Sequence, residues 1–76
     1  MNGYIHVDVE SKRHLVKVYG SPELDDSDFE PREFASSNDM AHNAYDLKIT
    51  DTPYQDACAY AEKQARRLGC DWGAND

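Results

Sequence analysis

The chain has 76 residues, enough for one small domain. It carries 15 acidic and 8 basic side chains, a formal charge of -7, with a mean hydropathy of -0.87. Leu, Ile, Val and Phe make up about 16% of the residues, a level at which composition alone leaves folding open and patterning decides. No apolar run reaches the roughly 18 residues of a membrane span. The first residues, Met1-Asn2-Gly3-Tyr4, lack the basic and apolar regions of a secretory signal. A cytoplasmic, membrane-free protein is the expectation. Two cysteines, Cys58 and Cys70, are too few for a disulfide scaffold.

In residues 4–10, Ile5, Val7 and Val9 alternate with His6, Asp8 and Glu10, the period of a half-buried strand. Residues 14–19 repeat the pattern, with Val16 and Val18 inward. A turn centred on Lys12-Arg13 pairs Val9 with Val16 and Val7 with Val18 on one face. On the other face it sets Asp8 against Lys17 and His6 against Tyr19. Apolar meets apolar and opposite charges meet, which favours this register.

Gly20-Ser21-Pro22 ends the second strand. The next stretch is dominated by charge: residues 20–39 hold seven acids against Arg32 alone. Residues 21–31 are expected to form an acidic, mobile loop within the single domain 1–76, with its tip around Leu24-Asp25-Asp26-Ser27-Asp28. Residues 32–36 are expected to form a short edge strand with Phe34 inward, and Phe29 and Phe34 to pin the segment to the core. Asn38 suits the cap of one helical turn reaching Ala44. Tyr45, Leu47 and Ile49 alternate with Asp46 and Lys48, which predicts another short strand.

Thr52-Pro53-Tyr54-Gln55 is a helix start: Thr as N-cap, Pro at the first position, Gln placed to close a capping box. The helix should span 53–68, with Tyr54, Ala57, Cys58, Ala61, Ala65 and Leu68 on one face. Gly69 is the expected left-handed stop, with Cys70 closing the cap by an apolar contact. Trp72 should fold back over the helix end, leaving Asn75-Asp76 as a frayed tail. The resulting fold is α+β: a small antiparallel sheet, a hairpin plus one or two short strands, with a single C-terminal helix packed across it.

Catalytic and metal signatures do not assemble. His6, His14 and His42 are scattered, and Cys58 and Cys70 do not make the close pair of a zinc site. Cys58 lies one turn into the helix, on its core face, which is poor placement for a reactive thiolate. Ser27, Ser36 and Ser37 sit in no nucleophile elbow. Asp26, Asp28 and Glu30 have the first spacings of a calcium loop, but Pro31 stands where Gly is needed and Ser37 where Glu is needed. The four glycines form no phosphate loop. A non-enzyme without metal or cofactor is expected.

An acidic surface repels phosphate backbones and attracts the basic surfaces that bind them. The expected partner is therefore a basic, nucleic-acid-binding protein or complex rather than nucleic acid itself. Glu23, Asp25, Asp26, Asp28, Glu30 and Glu33 are the candidate partner-binding residues, with Tyr60, off the apolar stripe of the helix, as an exposed anchor. In size, charge and sheet-plus-helix plan the chain is similar to small acidic phage-type antagonists. These include DNA-mimic inhibitors of repair glycosylases and restriction enzymes, inhibitors of RNA polymerase, and anti-CRISPR proteins. That resemblance implies inhibition by occlusion. The alternative is a structural or assembly subunit, or an accessory module, stabilised by a partner or by homo-oligomerisation, as small cores often are.

Overall fold

A computed structural model describes residues 3–10, 15–24, 28–36 and 46–75. The elements run β1 (Tyr4–Glu10), β2 (Leu15–Gly20), β3 (Arg32–Ala35), β4 (Asp46–Ile49), α1 (Pro53–Leu68) and β5 (Asp71–Asn75). The turn at Lys12-Arg13 and the helical turn expected from Asn38 to Ala44 lie outside the described residues, as do His14 and His42. β1 and β2 pair antiparallel in the register their side chains favour: Val9 opposite Val16, Val7 opposite Val18, Asp8 opposite Lys17, His6 opposite Tyr19.

The sheet has five strands in the order β4-β3-β2-β1-β5, and it departs from the sequence expectation in three ways. First, it is mixed. β1–β2 and β2–β3 are antiparallel, but β3–β4 and β1–β5 are parallel. Second, β3 is no edge strand. It is paired on both sides, with Phe34 lying between Val16 and Lys48. Third, a fifth strand runs over Asp71–Asn75, where Trp72 was expected to fold back over the helix end ahead of a short tail at Asn75-Asp76. β4 adds to β3 and takes the edge, and α1 then carries the chain from that edge of the sheet to the other. The two outer strands, β4 and β5, therefore run in the same direction, as strands joined by a crossover do. A 16-residue helix is about 24 Å long at 1.5 Å per residue. Five strands at their usual spacing span about 19 Å, so one helix suffices to cross them.

The core lies between α1 and the face of the sheet bearing Ile5, Val7, Val16, Val18 and Phe34. Ala57, Ala61 and Ala65 are its helix side, and their lack of bulk lets the helix lie close on the strands. Cys58, Tyr60, Leu68, Cys70 and Trp72 pack around the margin. Leu24, expected at a mobile tip, is buried with Phe29 in the same cluster. Tyr54 departs from the predicted face and is 42% exposed. The buried stripe begins one turn later, at Ala57.

The start of α1 differs in detail from the expected capping box. Thr52 occupies the N-cap, but its hydroxyl makes no capping bond to the backbone. It donates instead to Asp56 Oδ1 at 3.1 Å, while the Thr50 hydroxyl donates to Asp56 Oδ2. A carboxylate is a stronger acceptor than a neutral oxygen and favours the positive end of the helix, so Asp56 gathers both hydroxyls, and the Thr52 N–H that Gln55 was expected to accept donates to Thr50 Oγ1 at 3.2 Å. The other end is as predicted. Gly69 is left-handed (φ 72°), and the amides of Gly69 and Cys70 both donate to the Ala65 carbonyl, at 2.8 and 3.0 Å. A Cβ at Gly69 would meet nothing within 4 Å, so Gly69→Ala isolates the backbone cost. It should destabilise by about 1 kcal/mol, read as a lower urea midpoint with unchanged slope.

Candidate functional site

The structure separates the predicted acidic residues into two groups. Glu23, Asp28 and Glu30 lie on the connection between β2 and β3. That connection turns toward α1, because Leu24 and Phe29 are buried beneath it. Its first turn is tied to β1: Tyr4 N–H donates to Ser21 Oγ at 3.0 Å, and Ser21 N–H donates to the Tyr4 carbonyl at 2.9 Å. Hydrogen bonds from the Ser21 side chain and from its own backbone amide hold the Glu23 carboxyl below its ordinary pKa. The later part is gripped through its backbone. Arg67 donates to the Asp28 carbonyl at 2.6 Å and Tyr60 Oη to the Glu30 carbonyl at 2.8 Å. Asp25 and Asp26 fall outside the described residues.

Tyr60 does not stand out in solvent as an anchor. It is half-buried, its ring 5.9 Å from Phe29 and 6.0 Å from Phe34, with the Arg32 guanidinium 4.7 Å over its face. Its amphipathic side chain covers the core margin while its hydroxyl reaches the connection. The reason is positional. β3 lies inside the sheet, so Phe34 and Arg32 come up directly beneath this turn of the helix.

Glu33 belongs to the other face. Arg32 and Phe34 point toward α1, so the residue between them points away, and it is only 5% exposed. Cross-strand register sets two rows there: Asp8–Lys17–Glu33 across β1, β2 and β3, and His6–Tyr19 on β1 and β2, with Pro31 just before β3. Between the rows runs a groove of about 350 Å³ lined by Asp8, Lys17, Tyr19, Pro31 and Glu33, with Val18 and Arg32. Three aromatic rings form a shelf beside it. The Tyr4 and His6 centroids are 4.8 Å apart, and His6 stacks on Tyr19 at 4.9 Å. Gly73 on β5 makes room for this shelf, since a Cβ there would collide with the Tyr4 hydroxyl. Lys17 Nζ lies 3.0 Å from Glu10 Oε2, one step further along β1 than Asp8.

This groove was half legible in the sequence. The β1–β2 register already set Asp8 beside Lys17 and His6 beside Tyr19. What was missing was β3 next to β2, which brings Glu33 and Pro31 to the same rows.

Cys58 and Cys70 are free thiols, both half-buried. Among the described residues no group of three or more His, Cys, Asp or Glu side chains converges as a metal site. No helix there is long and apolar enough to cross a membrane. Compared with protein-family models, with curated proteins and with solved structures, the chain has no match.

Proposed function

We propose that this chain is a small, acidic, non-enzymatic binding protein. It inhibits a nucleic-acid-handling protein or complex by occupying that partner's basic surface, in the manner of phage-type antagonists such as anti-CRISPR proteins and DNA-mimic inhibitors. The observation that carries the reading is the concentration of charge: a net of -6 over residues 20–39, out of -7 in all. The grip of Arg67 and Tyr60 on the Asp28 and Glu30 carbonyls supports it. Backbone fixed in this way lowers the entropy lost when the acidic side chains meet a partner. Opposite potentials speed encounter and make the complex sensitive to salt.

The test is a pull-down with the tagged chain from nuclease-treated bacterial lysate, at low and at high salt, read by mass spectrometry. Capture of a nucleic-acid-handling complex at low salt, lost at high salt, is the expected result. Replacing Asp25, Asp26 and Asp28 by Asn should then weaken that complex about tenfold at low salt, taking about 0.5 kcal/mol per surface charge. Unchanged affinity in that triple variant would remove the mimicry mechanism.

A second reading, assembly through the sheet edge, has one observation in its favour. β4 is an outer strand, and its Ile49 is 45% exposed. Exposed edges of this kind pair with further strands unless blocked. Sedimentation of a clean monomer, with Ile49→Lys leaving its behaviour unchanged, would count against it.

A further inference from the structure

We propose that the groove between the Asp8–Lys17–Glu33 row and the His6–Tyr19–Pro31 row is the seat of an arginine side chain from the protein partner. This inference rests on the occlusion reading and places its specific contact on the sheet face away from α1. The acidic connection then steers the partner, and the groove holds it.

Three observations bear on the occupant. The first is Glu33. A carboxylate that is 5% exposed is costly to hold without a counter-charge. No hydrogen bond or ion pair joins it to another described residue. No polar side-chain atom among the described residues is both fully buried and unsatisfied. The Glu33 oxygens therefore reach solvent through the groove they line. The second is local charge. Asp8 and Glu33 line the groove with Lys17, whose ammonium is drawn out toward Glu10. The Arg32 guanidinium lies on the other side of the sheet, over Tyr60. Both cations of the lining are thus turned toward other partners, and the two carboxylates supply the charge that faces the groove.

The third is shape. Tyr19 is 38% exposed and stands along one side, with His6 stacked behind it. Asp8 and Glu33 are on strands two apart, about 10 Å between backbones, with Lys17 between them in the row, and the groove alongside offers room for one planar group that reaches both. A guanidinium fits this combination better than an ammonium. It is planar, stacks on an aromatic face, offers a fork of donors to a carboxylate and loses less hydration on entry.

The experiment is a titration of the ¹⁵N-labelled full chain with an octa-arginine peptide at low salt, with octa-lysine as comparison. The largest amide shifts are expected at Asp8, Lys17, Tyr19 and Glu33. Octa-arginine should bind several-fold more tightly than octa-lysine. Asp8→Asn with Glu33→Gln should weaken octa-arginine about tenfold or more, since two charge-assisted contacts are lost. Lys17→Gln should tighten it several-fold by removing the competing cation, a gain that a damaged fold does not produce.

Equal affinity for the two peptides, or a groove double variant that binds as the parent does, would overturn the seat. If Glu23→Gln, Asp28→Asn and Glu30→Gln together then weaken binding, the broader occlusion reading stands without the groove. Absence of saturable binding by either peptide at low salt would remove both.

Discussion

Phe34→Ala should leave this protein at the edge of unfolding. Phe34 is 2% exposed and sits in the middle strand of one half of the sheet, between Val16 and Lys48. Its ring lies under Tyr60, 6.0 Å between centroids, within the one cluster that joins sheet and helix. Truncating a buried phenylalanine to alanine costs about 3–5 kcal/mol, because transfer energy and cavity add. A chain of this length has about 4–11 kcal/mol of stability in total. Its core is thin and has no second layer to relax into the gap. Urea unfolding followed by fluorescence of Trp72, the single tryptophan, should show the midpoint falling by about a quarter or more. Phe34→Leu should fall between variant and parent. A midpoint close to that of the parent in Phe34→Ala would mean that the helix is not held on the sheet through this cluster.

The same residue marks how far the sequence could be read. Alternation predicted Phe34 inward, and Phe34 is inward. Strand periodicity located β1, β2 and β4, where apolar residues fall at every second position, while β3 offers Phe34 alone. The helix was legible at both ends, because Pro53 and Gly69 constrain the backbone and not the packing. Neighbour relations were not legible. Nothing local in residues 32–35 distinguishes an edge strand from an interior one, so the sequence groups Glu33 with the acids of the β2–β3 connection as one partner-binding set, whereas it stands in a groove wall on the sheet face away from α1. β5 was missed for another reason. Asp71, Gly73 and Asn75 are residue types depleted in strands. Only the tertiary setting, an open edge of β1 at the point where α1 ends, makes a strand of them. Tyr60 was misplaced because periodicity along a helix takes no account of what rises beneath it.

Removing β5 tests that last point, and it should abolish the native fold. β1 has Ile5 and Val7 at 0% exposure. On the edge away from β2, it is covered by β5 alone, with Trp72 beside Ile5 and Ala74 beside Val7. Ending the chain after Cys70 strips the parallel ladder from β1, takes away the Trp72 packing and opens the core margin next to Leu68. Ladder hydrogen bonds are worth about 1 kcal/mol each and a largely buried large side chain about 1.5–3 kcal/mol. The loss should therefore be at least about 3 kcal/mol, comparable with that of Phe34→Ala. Far-ultraviolet circular dichroism of the shortened chain should show reduced helix, since α1 folds only against the sheet, and no cooperative melt. The groove should go with it. β1 supplies Asp8, and Tyr4 is held across Gly73, so octa-arginine binding should lose its preference over octa-lysine even where net charge still attracts both. A shortened chain that melts cooperatively within about 1 kcal/mol of the parent would show that four strands suffice for the core. β5 would then serve only to position the aromatic shelf, and the preference for arginine would be lost from a protein that is still folded.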